Sequence, residues 1–324
     1  MEEWFGIVTT EHCFLRSAPG GNEAENESGI EDEIFSGWAV RPISAKENLP
    51  NVPAGIYTGK NGWLKVETHY GYQGYVQKSE LRFIDRKELL SRQNKCRFVR
   101  MKAREADLLS LPKVQGLPQE LILKNAVVEL LEADAAEGWS LVRTAAGNEG
   151  YVRSLYLTPR KDDDWYLLEQ KEQNASGGYF LCRWKNQKVD EMSLRCSLVK
   201  SAMAYLGTQY RWGGKSSQGL DCSGLLFMSY MENGILIYRD AKIVPGYPMQ
   251  EISKEELLPG DAIYFPGHVA MYLGDGKYIH STGYAKQPGV TQNSLNPEDA
   301  DYREDLALKI TAYGSIMSEG RERP

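Results

Sequence analysis

The 324-residue sequence predicts two small all-β barrels followed by a domain of the α+β class. A repeat with a constant offset in the first half indicates the barrels, and a change from strand-like alternation to helical periodicity near residue 193 indicates the last domain. One domain typically takes roughly 150 residues, so the length favours more than one core. The expected boundaries are 1–88 and 89–160 for the barrels, 161–192 for a connecting segment and 193–324 for the last domain.

Composition and charge exclude several classes of protein. Hydrophobic residues make up 42% of the chain and charged residues 25%, which is typical of a folded protein and not of a disordered one. The 44 acidic residues outnumber the 38 basic ones and give a formal charge of −6. Phosphate backbones and anionic lipids attract basic surfaces, so no nucleic-acid partner is expected. No apolar run reaches the roughly 18 residues that span a bilayer, so no membrane insertion is expected.

The first residues bear on localisation. The start Met1-Glu2-Glu3-Trp4 has neither the basic beginning nor the apolar core of a secretory signal, so a cytoplasmic protein is expected. A chain whose signal had been removed would begin in the same way, and that protein would be exported.

Cysteine and histidine are too sparse for a metal or cofactor site. No CxxC pair and no HExxH cluster occurs, so no metal, no cofactor and no disulfide framework is expected. Most of the cysteines are expected to be small buried residues. The five cysteines are Cys13, Cys96, Cys182, Cys196 and Cys222, and the four histidines are His12, His69, His268 and His280.

Seven residues of the first half recur at one constant spacing. The constant spacing indicates two copies of one module, with a chance recurrence of short GW and GYV motifs as the alternative. Short alternating stretches bounded by glycine-rich turns favour a small β-barrel in each copy. The recurring residues are Gly62, Trp63, Val66, Thr68, Gly74, Tyr75 and Val76, matched by Gly138, Trp139, Val142, Thr144, Gly150, Tyr151 and Val152.

A GW strand followed by a G-Y-V strand resembles the bacterial SH3-like domain found beside cell-wall enzymes. The resemblance covers residues 1–85 and 95–160. The first copy contains an acidic stretch at 22–33 that is too polar for a core, and we interpret it as a surface loop. The charged run at 161–164 and the turn-forming residues at 174–178 indicate the connecting segment.

The last domain is predicted to begin with two helices and to continue as a sheet. The first helix has Ser193 as its expected N-cap and Gly207 as its expected end. The second opens at Asp221-Cys222, and Asn233-Gly234 forms its C-terminal cap. Strands are predicted at 262–265, 268–273 and 278–281, which makes the domain α+β. The apolar face of the first helix comprises Leu194, Leu198, Val199, Ala202 and Leu206.

Cys222 is predicted to lie in the first turn of the second helix. A helix N-terminus lowers the pKa of a thiol and so favours the thiolate, which is the nucleophilic form. Asp221 is a good N-cap, and the backbone N–H of Cys222 is available to an oxyanion. Taken alone, a cysteine in this position is better explained as a core residue.

Two histidines downstream favour the catalytic interpretation of Cys222. If the residues 274–276 form the whole hairpin loop, Ala270 lies opposite His280, and His268 is a diagonal neighbour of His280 on the same face. A two-residue loop would slip the register and place the two rings on opposite faces. In the favourable register, His268 accepts the thiol proton, and His280 fixes which ring nitrogen of His268 carries a proton. The alternative is two strand histidines satisfied by the backbone.

Five sequence blocks resemble the NlpC-type cysteine peptidase family. The similarity spans about residues 193–315, with the blocks in the expected order. The resemblance implies a papain-like α+β fold and cleavage of bacterial cell-wall peptides. The blocks are LGTQYRWGG at 206–214, DCSG at 221–224, PGD at 259–261, HVAMYLG at 268–274 and YIHS at 278–281.

The resemblance implies a role for each matching residue. The family's nucleophile falls on Cys222, its base on His268 and its third polar residue on His280.

Four further residues match substrate-side positions of the family. Tyr210 matches a tyrosine placed near the oxyanion, and Asp221 and Ser223 match residues that contact substrate. Asp240, after Arg239, matches another substrate motif. The alternatives are a turn tyrosine, a plain N-cap and a surface ion pair.

Two SH3-like modules before an NlpC-type domain resemble the γ-D-glutamyl-L-diamino-acid endopeptidases, which include enzymes of muropeptide recycling in the cytoplasm. The resemblance implies a muropeptide partner whose L-alanine amine is free, and a free ammonium needs an acidic neighbour. Asp221 is the first candidate, and Glu33 and Tyr70 of the first barrel are further ones, with barrel packing as the alternative for Tyr70. The rivals are a non-catalytic wall-binding protein and an amidase or acyltransferase on the same fold. A monomer is expected.

Overall fold

The chain forms two compact units, Met1–Leu167 and Leu168–Pro324. The first unit contains the two barrels, and the second contains the helix-and-sheet domain. No helix within the described ranges is both long and apolar enough to cross a membrane. The computed structural model describes residues 3–20, 29–43, 62–94, 97–160 and 190–317.

The first barrel is a seven-stranded antiparallel sheet. Its strands are β1 (Trp4–Val8), β2 (His12–Arg16), β3 (Ile30–Phe35), β4 (Ala39–Pro42), β5 (Trp63–Thr68), β6 (Gln73–Gln77) and β7 (Leu81–Asp85). They follow the order β3-β2-β6-β5-β4-β1-β7 across the sheet. A short helix, α1 (Arg86–Ser91), follows and is capped by Asp85, whose carboxylate accepts from the backbone N–H of Glu88 at 2.7 Å. Leu89 of α1 is buried in the barrel core beside Phe5.

The second barrel repeats the topology of the first strand by strand. Its strands are β8 (Phe98–Met101), β9 (Glu105–Leu109), β10 (Pro118–Leu123), β11 (Val127–Ala136), β12 (Trp139–Arg143), β13 (Glu149–Arg153) and β14 (Leu157–Pro159). Their order is β10-β9-β13-β12-β11-β8-β14, which is the order of the first sheet with every number raised by seven. The predicted pair of modules is therefore present, and a chance recurrence of the motifs is excluded.

The repeated glycines explain part of the repeated sequence. A Cβ on Gly74 would come within 2.5 Å of the side chain of Leu15, and one on Gly150 would come within 2.7 Å of the carbonyl of Leu109. Both glycines therefore allow a neighbouring strand to approach closely. The register agrees, since Val66 lies opposite Gly74 and Val142 lies opposite Gly150.

Hydrogen bonds join the two barrels of the first unit. The backbone N–H of Val127 donates to the carbonyl of Ser36 at 2.9 Å, and the indole N–H of Trp38 donates to the carbonyl of Asn125 at 2.9 Å. Arg92, after α1, donates to the carbonyl of Gly37 at 2.7 Å. The second barrel is thus a fixed partner of the first.

The prediction of a surface loop at 22–33 is wrong for its last part. Residues 22–28 lie outside the described residues, but Ile30 begins β3, and both Asp32 and Glu33 are fully buried. The acidic side chains have neighbours: Tyr70 donates to Asp32, and the carboxylate of Glu33 lies 2.5 Å from Nδ1 of His12. Buried carboxylates are tolerated when they are paired in this way, which the polar composition of the stretch did not indicate.

The second unit contains three helices and a six-stranded antiparallel sheet in its described part. The helices are α2 (Glu191–Met203), α3 (Cys222–Met231) and α4 (Glu304–Ala307). The strands are β15 (Lys215–Ser216), β16 (Gly219–Leu220), β17 (Gln250–Ile252), β18 (Ala262–Phe265), β19 (His268–Gly274), β20 (Lys277–Thr282), β21 (Gly289–Ser294) and β22 (Ala312–Ser315). The sheet order is β17-β22-β18-β19-β20-β21, with β15 and β16 as a separate hairpin.

The ends of α2 differ from the prediction. The N-cap is Asp190, whose carboxylate accepts from the backbone N–H of Ser193 at 3.0 Å, so Ser193 is not the cap. Aspartate also caps helices well, and the apolar pattern does not distinguish the two positions. The helix ends at Met203, before Gly207, and Leu206 is exposed instead of lying on the buried face. Of the predicted connecting segment, 161–189 lies outside the described residues and 191–192 belongs to α2.

Helix α3 matches its prediction and places the site. It begins at Cys222 after the N-cap Asp221, and Gly234 follows its end with a φ of +81°. The helix is buried along most of its length and packs against β19 and β20. The first turn of α3 therefore lies beside the strands that contain the two predicted histidines.

Candidate active site

Cys222 lies in the first turn of α3 with its side chain against β19. The residue is 8% exposed, and the backbone N–H groups of Val269 and Ser223 hydrogen-bond to its sulfur. Val269 directly follows His268 in β19, so the thiol contacts the backbone of the residue next to the predicted base.

The prediction that the helix N-terminus lowers the pKa of this thiol is wrong for the protein without substrate. Burial raises the pKa of Cys222 to about 12, and the negative charge of Asp221 adds to the rise. The two backbone N–H groups and Arg239 act in the opposite direction but do not overcome the loss of water. Cys222 is therefore a neutral thiol at pH 7 and needs a base to become a nucleophile.

Asp221 is the centre of a buried hydrogen-bond network. Its carboxylate accepts from the backbone N–H groups of Gly224 at 2.6 Å and Gly213 at 2.9 Å and from the hydroxyl of Ser223 at 3.1 Å. Arg239, which is 2% exposed, donates to both carboxylate oxygens at 3.3 Å. A substrate ammonium at Asp221 would share the carboxylate with this guanidinium.

The interpretation of Arg239 as a surface ion pair is wrong. Besides its pairing with Asp221, Arg239 donates to the hydroxyl of Ser223 at 2.8 Å and to the carbonyl of Gly213 at 3.2 Å. It therefore joins the turn before α3 to the first residues of the helix. Asp240 follows directly and is partly exposed.

The hairpin of β19 and β20 places both histidines on one face. Tyr272 lies opposite Tyr278 and Met271 opposite Ile279, which is the register predicted to pair Ala270 with His280. The loop nevertheless has two residues, Asp275 and Gly276, since Gly274 lies opposite Lys277. Leu273 is an extra residue between the two pairs, and this bulge restores the register that a two-residue loop alone would have slipped.

The two rings are hydrogen-bonded to each other. Nε2 of His268 and Nδ1 of His280 lie 2.7 Å apart, and their planes are inclined by 75°. His280 is fully buried, and its Nε2 lies 2.9 Å from Oδ1 of Asn293 on β21. The prediction that one imidazole orients the other agrees with this contact.

Asn293 determines the tautomers of both histidines. Its Nδ2 donates to the carbonyl of Asp301 at 2.8 Å, so its Oδ1 must face His280 as an acceptor. His280 therefore carries its proton on Nε2 and accepts at Nδ1 from the Nε2–H of His268. The Nδ1 of His268 is left without a proton and is the free base of the pair.

Burial keeps both imidazoles neutral. It lowers the pKa of His268 to about 4, with a further lowering by the charge of Arg303 and an opposing effect of Asp305. It lowers the pKa of His280 to about 3, helped by His268 and Arg303 and opposed by Asn293 and Asp305. At pH 7 the site holds a neutral thiol and a neutral imidazole, which is the starting state for general-base catalysis.

Tyr210 and Ser223 lie close to the thiol. Tyr210 forms a parallel bridge with Leu220, one residue before Asp221, and burial together with Cys222 raises the pKa of its phenol. The phenol therefore keeps its proton and can donate a hydrogen bond. The backbone N–H of Ser223 contacts the sulfur, whereas its hydroxyl points to Asp221.

Glu33 and Tyr70 lie in the first barrel and therefore in the other unit. The carboxylate of Glu33 is 2.5 Å from Nδ1 of His12. The hydroxyl of Tyr70 donates to Asp32, and its ring packs edge-on against Trp38 and His69. The two residues thus have different partners within the barrel.

Sequence reasoning missed Asn293 and the burial of Arg239. Asn293 faces His280 only because β21 pairs with β20 after a loop of six residues, and no local pattern sets that register. Among the cysteines, Cys13 and Cys222 are buried as expected but Cys196 is exposed, while Cys96 and Cys182 lie outside the described residues. No cluster of three potential metal ligands occurs in the ranges that the structure describes.

A papain-like α+β domain with a Cys–His–His site at the start of its buried helix defines a cysteine peptidase. The chain belongs to the NlpC/P60 family, whose sequence pattern matches residues 207–301. It is 34% identical over 297 residues to a protein named dipeptidyl-peptidase 6 from Lysinibacillus sphaericus, covering 91% of this chain and 95% of that protein. Both barrels and the peptidase domain fall within this similarity.

Two further comparisons concern proteins of Bacillus cereus ATCC 10987. A γ-D-glutamyl-L-lysine dipeptidyl-peptidase is 39% identical over 92 residues, which cover 26% of this chain and 27% of that protein. The crystal structure of an NlpC/P60 family protein covers 95% of this chain and 98% of its own, with a TM-score of 0.67 and 20% identity. This structural similarity shows that the two proteins share a fold over nearly the whole chain.

Proposed function

We propose that this protein is a γ-D-glutamyl-L-diamino-acid cysteine endopeptidase that releases L-Ala-γ-D-Glu from muropeptides with a free N-terminal L-alanine. The observation that carries the proposal is the similarity to dipeptidyl-peptidase 6 of L. sphaericus over 91% of the chain, since it includes the barrels as well as the catalytic domain. The name of the B. cereus relative supports the γ-D-glutamyl bond.

The first step is attack by sulfur on the γ-carbonyl carbon of D-glutamate. The proton of the Cys222 thiol passes to Nδ1 of His268, the nitrogen that the tautomer chain leaves free. The positive charge on His268 is then shared through the hydrogen bond with His280, whose other nitrogen is held by Asn293. The attack forms an anionic tetrahedral intermediate.

Two donors are available to the oxyanion of that intermediate. The backbone N–H of Cys222, in the first turn of α3, has no partner within the helix, as is general for helix N-termini. The phenol of Tyr210 stays protonated because burial raises its pKa. Collapse of the intermediate transfers the proton of His268 to the leaving amine of the diamino acid, and water then hydrolyses the thioester.

Recognition of the free L-alanine amine is assigned to acidic residues. Asp221 supplies a carboxylate beside the nucleophile, although it shares its charge with Arg239. The resemblance implies Glu33 and Tyr70 of the first barrel for the same end of the substrate, but both are buried within that barrel. We assign Asp240 and Ser223 to the substrate peptide. The requirement for a free amine suits small released peptides better than intact wall.

A role in murein peptide recycling, in the cytoplasm and as a monomer, belongs to the same proposal. Cell fractionation with an antibody against the protein tests the compartment. Light scattering after size-exclusion chromatography tests the monomer.

The substrate proposal is tested by mass spectrometry of peptides incubated with the purified protein. The peptides are L-Ala-γ-D-Glu-meso-diaminopimelate, its N-acetylated form and the L-lysine analogue. We expect release of the diamino acid from the free-amine peptides alone, and a loss of turnover in Cys222→Ala with unchanged circular dichroism.

Each other outcome points to a different function. Cleavage of the acetylated peptide as well would contradict amine recognition by Glu33, Tyr70 and Asp221 and indicate a general wall hydrolase. Cleavage of none of the peptides, with Cys222 still reactive toward iodoacetamide, would favour an amidase or acyltransferase. Peptide binding without turnover or thiol reactivity would favour a wall-binding protein.

A further inference from the structure

The second barrel contains a pocket that the proposed reaction does not use. It has a volume of about 380 Å³, within the range of roughly 300 to 1,000 Å³ that is typical of small-ligand sites. The pocket lies between β9 and β13, which are joined through the pair Leu109–Tyr151 and separate beyond it. All of its lining residues belong to the first unit, so the pocket is complete within that unit.

Charged side chains of both strands line this pocket. Glu105 and Asp107 occupy alternate positions of β9 and therefore share one face, and Arg153 ends β13. Continuing the register of Leu109 and Tyr151 places Asp107 opposite Arg153. Within the residues that the structure describes, however, none of the three side chains forms an ion pair or a hydrogen bond. Both acidic residues are exposed, so their charges are available to a ligand.

An aromatic ring holds the guanidinium of Arg153 in place. Its carbon Cζ lies 4.0 Å from the centre of the ring of Trp139, which is buried. Stacking of this kind restrains the arginine without using its N–H groups, which remain available to bind a carboxylate through two parallel hydrogen bonds. The exposed side chains of Tyr156 and Val114 add apolar surface to the rim of the pocket. The pocket therefore combines three unpaired charges with apolar walls.

The first barrel has the same topology but not these charges. Its pair Arg16–Tyr75 occupies the place of Leu109–Tyr151, and counting along the strands from this pair gives the matching positions. The counterparts of Glu105, Asp107, Trp139 and Arg153 are His12, Phe14, Trp63 and Gln77. The tryptophan is retained, whereas none of the three charges is. Because a barrel of this topology forms without them, folding does not explain the charges, and a ligand that pairs with them does.

We propose that this pocket binds a short peptide with two ammonium groups and one carboxylate, of which a free dipeptide that begins with lysine is an example. Glu105 and Asp107 are the partners of the ammonium groups, and Arg153 is the partner of the carboxylate. Two carboxylates and one guanidinium leave the pocket with one net negative charge, which complements the one net positive charge of such a peptide. The site is separate from the proposed reaction, since its residues and Cys222 belong to different units.

Binding is followed by NMR on the full-length chain labelled with 15N-tryptophan. The chain has seven tryptophans, so seven indole N–H signals are expected. The signal that is missing in Trp139→Phe belongs to the pocket. Titration with the dipeptide L-Lys-L-Ala should shift this signal in a saturable manner, and the dependence of the shift on concentration gives Kd.

Matched peptides and variants assign each charge. The C-terminal amide of the dipeptide lacks the carboxylate, and its Nα,Nε-diacetyl form lacks both ammonium groups. On the unchanged protein, each lost ion pair should raise Kd by about twofold to fivefold, the size typical of solvent-exposed pairs. In Arg153→Gln the amide and the free dipeptide should bind equally. In Glu105→Gln/Asp107→Asn the diacetyl form and the free dipeptide should bind equally.

A control variant separates the pocket from the general charge of the barrel. Glu132 is an exposed residue of β11 that does not line the pocket. Glu132→Gln removes one negative charge from the same barrel and should bind all three peptides as the unchanged protein does.

Three results would overturn the proposal. One is a Trp139 signal that does not shift, and another is an equal Kd for the dipeptide blocked at all three charged groups, which would indicate apolar contact alone. The third is a preference for the free dipeptide over its amide that persists in Arg153→Gln. The dipeptide contains no γ-D-glutamyl bond, so the outcome of this titration is independent of the outcome of the cleavage assay.

Discussion

At the scale of single residues, the site depends on neutral groups held in one protonation state. The thiol of Cys222 has its pKa raised by burial and His268 has its pKa lowered, so neither is charged in the protein without substrate. The direction of proton transfer is then set by hydrogen bonds, because Asn293 fixes the proton of His280 and His280 fixes that of His268. In the proposed mechanism, activation of Cys222 therefore depends on the orientation of His268 and not on a preformed thiolate.

Replacing Asn293 by alanine should reduce turnover more than substrate binding. His280 would lose the acceptor of its Nε2–H and could adopt the other tautomer, which cannot accept from His268. We expect kcat to fall by about 10-fold to 100-fold, equivalent to about 1.4 to 2.7 kcal/mol of transition-state stabilisation, with KM little changed.

The measurement for Asn293→Ala is steady-state kinetics on the free-amine tripeptide. Gln292→Ala, one residue earlier on the same strand, is the matched control and should keep its activity. An equal kcat for Asn293→Ala and the unchanged protein would contradict the tautomer chain.

At the scale of elements, one bulge decides whether the histidines meet. The two-residue turn of Asp275 and Gly276, both with positive φ, is the turn type that suits a tight hairpin. Such a turn alone would put His268 and His280 on opposite faces. The extra residue Leu273 shifts the register by one position. His268 and His280 therefore lie on the same face of the sheet.

Deleting Leu273 should therefore be tolerated. Gly274 would then adjoin Tyr272, which keeps Tyr278 opposite it, and His268 would still face His280. We expect kcat/KM within roughly tenfold of the unchanged protein, a difference of about 1.4 kcal/mol.

Deletion of Met271, a residue paired within the ladder, is the contrasting variant. If His268 stays on the face of His280, the bulge is lost and Tyr272 takes the place of the buried Met271, so activity should fall further than on deletion of Leu273. Kinetics and circular dichroism on both deletions check this, and equal loss of activity in two folded proteins would contradict the role of the bulge.

At the scale of the whole molecule, the two units of the chain enclose different ionisable groups. The first unit buries Asp32 and Glu33 in paired contacts within its first barrel, and hydrogen bonds join that barrel to the second. The second unit holds two histidines whose pKa is lowered from 6.5, with His280 fully buried and His268 partly buried. Acid is therefore expected to weaken the second unit through these residues.

The free energy of unfolding should fall as the pH is lowered from about 6.5 towards 4. The unfolded histidines bind protons below pH 6.5, whereas the folded ones do so only near pH 4 and pH 3, so the unfolded state binds more protons in this window. Each ring contributes a loss of up to about 1.4 kcal/mol per pH unit.

Scanning calorimetry of the full chain between pH 7 and 4.5 measures this loss. The double variant His268→Gln/His280→Gln lacks both titrating groups and should lose less stability over the same range. Equal slopes for the two proteins would show that the histidines are not the cause.

Some features of this protein follow from the sequence alone. Two barrels, the helix that begins at Cys222 and the facing of His268 and His280 could be predicted, since each depends on neighbours close in the chain: a glycine spacing, an N-cap and a hairpin turn. The hairpin prediction was right in register and wrong in loop length, because a single bulge residue has no clear sequence signature.

Only the tertiary structure decided the protonation states and the supporting residues. Whether Cys222 and the histidines are charged depends on how completely distant segments exclude water from them, and no local pattern reports that. Asn293 reaches His280 through the pairing of β21 with β20, and Glu33 of β3 is buried beside His12 of the neighbouring strand β2. Local chemistry thus sets which elements form, whereas burial and long-range pairing set what their side chains can do.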